Sequence, residues 1–411
     1  MKLLLLFAST LLSFSAYANF NAKAYKTHSP DCRIQQSFPQ WLAQFKKEAL
    51  QKGIQPQTLN IALHQLTPDH GIIQKDRSQS VFTQDFLTFS SRMVSPYRIK
   101  RGQQKIHQHR EIFAKIKQQY GIPAPVIAAF WALETDFGAN TGHLPVIRSL
   151  ATLAWDCRRP QLFRDQLLAA LKIINRGDLS LAQMRGAWAG EIGQTQFLPS
   201  EYLSKGVDFD HDGKVDMINS TADALASTAK ILQGMGWKRN QPWLIEVMTP
   251  PNLAWEKTGI DQQHAGRFWA QQGVKQRNGQ ALSHQHLRAS LLLPMGRNGP
   301  AFIAYPNFYN VYFKWNSSTV YSTTVAYLAT RLSGAPRLYA GKQTINKLTI
   351  NEVKQLQQKL QTLGFDVGER DGIIGKKTRK AVKIMQQRMK LPADSYPDRD
   401  FYNQLQHYRN R

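Results

Sequence analysis

One carboxylate stands where acid–base chemistry is expected. Residues 123–142 read PAPVIAAFWALETDFGANTG, apolar without a break from Val126 to Leu133 and followed directly by Glu134. Prolines at 123 and 125 suit a helix start and Gly138 a helix end, so Glu134 falls near the C-terminus of a helix apolar on nearly every face. No Lys or Arg lies between Lys117 and Arg148. Burial and the partial negative charge of a helix end both disfavour an ionised carboxylate there, as a general acid requires. The competing reading is a buried, hydrogen-bonded structural Glu. Asp136 points roughly to the opposite side of such a helix and is a poor partner carboxylate.

Three further stretches carry residue types with chemical uses. Residues 186–200, GAWAGEIGQTQFLPS, interrupt the helical pattern with Gly186, Gly190 and Gly193. Glycines so spaced allow tight turns or close approach to a ligand, and the Gln194 and Gln196 amides suit sugar hydroxyls; an ordinary interhelical loop is the alternative. In DFDHDGKVDMIN, Asp208, Asp210 and Asp212 take positions 1, 3 and 5 of a calcium loop, Gly213 position 6, Lys214 position 7 through its carbonyl, and Asp216 position 9. Asn219 replaces the bidentate Glu of position 12, so a modified calcium loop and a self-capped acidic turn both remain open. Between Pro306 and Leu332, Tyr309, Tyr312, Phe313, Trp315 and Tyr321 surround Asn316-Ser317-Ser318, either as a sugar-stacking wall or as core.

The elements that must position these residues read as helices. Apolar spacing predicts helices over 38–50, 57–66, 102–120, 150–155 and 161–174, and strand signals are few and short, so the fold class is mainly α. Residues 19 to about 36 read as an irregular arm, and 241–305 say little about mechanism. A boundary is expected at 334–347. Beyond it Thr349 and Glu352 form a capping box for a helix carrying Val353, Leu356, Leu360 and Leu363, Gly364 ends that helix, and 377–389 reads as another.

The chain opens MKLLLLFASTLLSFSAYA, which reads as a secretory signal cut after Ala18. The residue directly after the cut is Asn19 and not Cys, so a lipid anchor is not expected, nor is a transmembrane segment. Lys and Arg number 53 against 28 Asp and Glu, a net charge of +25. In an exported protein this favours an anionic envelope polymer over nucleic acid. Cys32 and Cys157 form one disulfide or remain two buried thiols, and are too few for a metal cluster.

Taken together, Glu134-Thr135-Asp136-Phe137-Gly138, Arg158-Arg159, the segment ending at Tyr202, the Asp208–Asp216 loop, and Trp315-Asn316-Ser317 with Tyr321 resemble the lytic murein transglycosylases of the membrane-bound B type, glycoside hydrolase family 103, over roughly 36–333. LQQKLQTLGF and DGIIGKKT resemble the peptidoglycan-binding domain type 1. The resemblance implies a lysozyme-like helical catalytic domain over 19–335, a linker over 336–348 and a small three-helix wall-binding module over 349–411, after a signal peptide at 1–18. It also implies Glu134 as sole catalytic acid and base, with Arg158, Arg159, Gln194, Gln196, Trp315, Asn316, Ser317 and Tyr321 binding substrate. No cofactor is implied to be required, and a structural calcium in the Asp208–Asp216 loop stays open on the loop's own residues. The expected setting is a soluble periplasmic monomer acting on peptidoglycan glycan strands, with other cell-wall enzymes as candidate partners. Departures from the family pattern include Ala187, Glu191, Trp315 and Lys230. Glu191 matters most, because a second carboxylate would permit a water-using muramidase; a non-catalytic wall-binding protein is the remaining alternative.

Overall fold

The computed structural model describes residues 28–29, 31–78, 84–341 and 345–409; the signal-peptide reading lies outside them. The described residues divide into two compact units, one of those within 1–78 and 131–228 and the other of those within 79–130 and 229–411.

In the first unit, helices Val146–Trp155 and Pro160–Arg176 pack together and bury Leu150, Leu153, Leu167 and Leu171. Pro160 opens the second of these, where its missing N–H costs nothing, and Gly177 closes it at φ 85°. The corner between them holds Cys157, which is bonded to Cys32. Two further ties bind the N-terminal arm to this corner: the His28 N–H donates to the Arg158 carbonyl at 2.8 Å, and Trp155 Nε1 to the Gln36 carbonyl at 2.8 Å. The bond spans a sequence separation of 125, so replacing both cysteines by Ser should cost about 2 to 5 kcal/mol of stability, read as a lowered midpoint in urea. An unchanged midpoint would mean that the arm is already held by its hydrogen bonds. A two-stranded ladder, β1 (Leu144–Pro145) with β2 (Arg185–Gly186), pairs Leu144 with Gly186.

The second unit contains what the sequence did not announce, a five-stranded antiparallel sheet built from β3 (Leu244–Met248), β4 (His264–Ala265), β5 (Lys275–Gln276), β6 (Arg288–Leu292) and β7 (Ala301–Ala304) in the order β4-β6-β7-β3-β5. Its strands are two to five residues long and β7 is buried throughout, so no alternating pattern marks them. Trp269, Leu291, Ile303 and Tyr305 lie in its core. The single helix expected over 102–120 is two, Pro96–Gln108 and Arg110–Tyr120, broken at His109, whose φ and ψ of −106° and 26° leave the helical basin.

The C-terminal module, also in this unit, has helices Ile350–Thr362, Lys376–Arg388 and Arg399–His407 around Leu356, Leu360, Val382, Met385 and Leu405. The Thr349/Glu352 capping box forms as expected: the Thr349 N–H donates to Glu352 Oε2 at 2.7 Å, and the Glu352 N–H to Thr349 Oγ1 at 3.3 Å. Arg399 pairs with Glu352 and holds its carboxyl down at about 2. The module also ties to the segment around Pro294. There Arg379 donates to the Leu293 and Pro294 carbonyls, Lys383 to the Thr258 carbonyl, and the Arg297 N–H to Asp394 Oδ2.

Candidate active site

Glu134 sits one residue before the end of helix Ala124–Thr135. From Val126 to Ala132 every residue is at most 1% exposed, whereas Leu133 and Glu134 are half-buried. The helix therefore passes through the core and emerges at its carboxylate. It ends three residues sooner than Gly138 suggests, because Thr135 intercepts the chain: its Oγ1 donates to the Gln194 carbonyl and accepts the Gly138 N–H at 2.9 Å. Asp136, Phe137 and Gly138 then take φ values of 52°, 62° and 82°. Two consecutive non-glycine residues in the left-handed region store about 1 to 3 kcal/mol each, a cost that concentrates at functional sites. Phe137 folds back edge-on to Trp131, with ring centroids 5.6 Å apart. Asp136 thus lies past the helix end rather than on its opposite face.

The 186–197 segment is a compact turn supporting this end. The Ala187 N–H donates to the Glu191 carbonyl at 2.8 Å, and Ile192 and Phe197 exchange backbone hydrogen bonds at 2.8 and 2.9 Å. Both glutamine amide nitrogens are committed within the fold, that of Gln194 in part to Thr221 Oγ1 at 3.4 Å. Gln194 Nε2 donates to the Ile218 carbonyl at 3.2 Å, and Gln196 Nε2 to the Thr141 and Gly193 carbonyls at 3.0 and 3.1 Å. Gln194 is 6% exposed and Gln196 2%. Their nitrogens thus hold this turn to neighbouring segments, as an ordinary interhelical loop would be held. Glu191 is 2% exposed.

Arg158 and Arg159 belong to the same unit and both donate to Asp76 Oδ1, the first at 2.9 Å. Asp76 lies on helix His70–Arg77, an element without a sequence signal. Trp315, Asn316, Ser317 and Tyr321 belong to the other unit. Trp315 is fully buried, its ring 4.7 Å from that of Phe130, and Tyr312 stacks on Phe130 at 5.1 Å. The aromatic wall is therefore core at these two positions, and Trp315 supports the segment rather than presenting a stacking face. Ser317 is exposed and Tyr321 half-buried, while the 8%-exposed Asn316 uses Oδ1 to accept the Ser318 N–H at 2.8 Å. A π-helix, Phe308–Phe313, precedes them; this rare geometry recurs at functional sites and carried no sequence signal.

In the acidic loop, carboxylate oxygens of Asp208, Asp210 and Asp212 lie within 4.8 Å of one another. Asp208 accepts the N–H groups of Asp212 and Gly213 at 3.2 and 3.0 Å, and Asp212 that of Lys214 at 2.9 Å. Asp216 instead accepts the N–H groups of Ile218 and Asn219 at 3.0 and 2.8 Å, and the Asn219 side-chain amide at 2.8 Å. Asp223 ties the loop down by accepting the Phe209 and Asp216 N–H groups; burial pushes its carboxyl up. An all-oxygen set of this kind fits a hard divalent cation, with Asp208, Asp210, Asp212 and the Lys214 carbonyl as ligands. Asp216 is spent largely on its own turn.

A sequence model of the Transglycosylase SLT domain family matches residues 37–330, and one of a peptidoglycan binding domain matches 349–405. The chain belongs to the Transglycosylase SLT domain family. It is 27% identical over 248 residues to the membrane-bound lytic murein transglycosylase B of Escherichia coli strain K12, a match covering 58% of this chain and 65% of that relative's length. It is similar to the crystal structure of SltB3 from Pseudomonas aeruginosa in complex with NAG-anhNAM-pentapeptide, at 39% identity and a TM-score of 0.84 over 90% of this chain and all of that one. The Escherichia coli lytic transglycosylase Slt35 in complex with calcium shares the fold, at 24% identity and a TM-score of 0.61 over 74% of this chain and 98% of its own. Among the described residues no helix is long and apolar enough to cross a membrane.

Proposed function

We propose that the chain is a peptidoglycan lytic transglycosylase, cleaving the β-1,4 bond between N-acetylmuramic acid and N-acetylglucosamine without water and leaving a 1,6-anhydromuramyl end. The observation that carries this is a carboxylate, Glu134, emerging half-buried from an apolar helix at a strained turn, in a chain of this family. Protonated Glu134 donates to the bridging oxygen as the C1–O bond breaks, and the substrate's own acetamido group stabilises the anomeric carbon. Ionised Glu134 then takes the proton of the muramyl 6-hydroxyl while that oxygen closes on C1. No protein nucleophile is needed. Hydrolysis would need a second carboxylate; the candidates are Asp136, which lies past the helix end at φ 52°, and Glu191, which is 2% exposed.

Asn316, Ser317 and Tyr321 position the sugar; Trp315 holds its own segment against Phe130, and the Gln194 and Gln196 amides hold theirs through main-chain carbonyls. Arg158 and Arg159 meet carboxylates of the substrate. The C-terminal module keeps the enzyme on the polymer and raises the local substrate concentration. Export to the periplasm follows from the signal sequence and from the place of the polymer. Muropeptide release from purified sacculi tests the reading: anhydro ends support it, and a sacculus left undigested would reduce the chain to a wall-binding protein.

Calcium in the Asp208 loop would be structural. Calcium at one hundred times its Kd should then stabilise the fold by about 2.7 kcal/mol, and Asp210→Asn should remove that gain. A melting temperature indifferent to calcium would make the loop a self-capped acidic turn.

A further inference from the structure

We infer that Asp76 is a positioning residue that holds Arg158 and Arg159 as a fork for a carboxylate of the substrate; this rests on the transglycosylase reading above. Asp76 is 1% exposed and sits beneath the pair, whose side chains remain 18% and 11% exposed. Both guanidiniums converge on the same oxygen, Oδ1, while Oδ2 is buried and has no hydrogen-bond partner; Nε of Arg77, Arg158 and Arg159 are likewise buried without one. A closed structural staple would be expected to engage carboxylate and guanidinium edge to edge, two bonds per pair. Here one oxygen serves two arginines, and neither guanidinium is closed into a two-bond pair.

The charge count agrees. Arg77 pairs with Asp156, so the cluster sets three guanidiniums, Arg77, Arg158 and Arg159, against two carboxylates, Asp76 and Asp156. One positive charge remains for an incoming anion. The backbone of the pair is fixed independently of Asp76, by the Cys32–Cys157 bond, the His28-to-Arg158 hydrogen bond and the helix starting at Pro160. Arg159 also lies over the Phe163 ring, 4.9 Å from its centroid. What Asp76 adds is therefore the aim of the two side chains. Without it two like charges would stand side by side and separate, and an ordered fork would have to be rebuilt on each binding event.

The substrate carboxylate has two sources, the stem peptide and, in peptide-stripped strands, the lactyl group freed from its amide. Kinetics of Asp76→Asn on peptide-bearing and amidase-stripped strands separate them, with binding of a neutral N-acetylglucosamine hexamer as reference. The variant should raise KM about tenfold, as expected for weakened charge-assisted hydrogen bonds, with kcat within about twofold and the hexamer bound as tightly as before. A rise on peptide-bearing strands alone assigns the stem peptide, a rise on stripped strands alone assigns the freed lactyl carboxylate, and a rise on both assigns a fork that takes either. In an Arg158→Gln/Arg159→Gln background Asp76→Asn should add nothing. Unchanged KM on both strands, hexamer binding weakened as much as KM, or additive effects would overturn the inference. Should Asp76→Asn not fold, Asp76→Glu decides: it keeps the charge, shifts the oxygen by a methylene and should raise KM several-fold on the same strands, whereas unchanged KM contradicts the assignment. A wild-type enzyme yielding no anhydro product would instead defeat the transglycosylase reading itself.

Discussion

Glu134→Gln is expected to abolish release of anhydromuropeptides from purified sacculi, lowering the rate by about a thousandfold or more, since one group serves as acid in the first step and base in the second. The fold should tolerate the change. Glu134 is half-buried at a helix end, Gln keeps its size and hydrogen-bonding reach, and the melting temperature should stay within about 2 °C, as for most substitutions outside a core. Loss of activity with an intact fold would place the chemistry on this carboxylate. A variant that digests sacculi at the wild-type rate would remove Glu134 from the mechanism and reopen the case for Glu191.

The second large effect is steric. Gly142 has φ 89°, and a Cβ there would stand 2.3 Å from both the carbonyl carbon and the oxygen of Gly186 and 2.6 Å from the Ala187 nitrogen. These are backbone atoms of the strand that pairs with Leu144 and of the turn beneath Glu134, so no side chain can swing away to make room. Gly142→Ala should cost about 3 kcal/mol or more, from a left-handed conformation forced on a substituted residue plus the overlap itself. Activity should fall with it, because relief requires the 186–197 turn to move away. Denaturant unfolding together with sacculus turbidity measures both; wild-type stability would show that the two segments separate at little cost.

These two sites differ in how far the sequence exposed them. The Glu134 helix was legible because an unbroken apolar run must be buried and a carboxylate at its end is conspicuous. The capping box at Thr349 and Glu352 was legible for a similar reason: its parts lie three residues apart and interact locally. The helix end was not, since the interaction that stops it, Thr135 with the Gln194 carbonyl, spans 59 residues. Asp76 escaped notice on the same ground, lying 82 residues from Arg158. The five-stranded sheet was hidden by brevity and two-sided burial. Composition placed aromatics densely around Asn316 but could not say which face water, and Trp315 and Tyr312 proved to be core. Local chemistry was readable, then, and whatever depended on which distant segments meet was not.

In the proposed reaction the glycosidic bond is cut by an internal hydroxyl and not by water. Digestion of sacculi in water enriched in oxygen-18, followed by mass spectrometry of the released muropeptides, tests it directly. The 1,6-anhydromuramyl ends should carry no label, because the oxygen joined to C1 is the sugar's own. Reducing muramyl ends with one oxygen-18 at C1 would contradict it and identify the enzyme as a hydrolase.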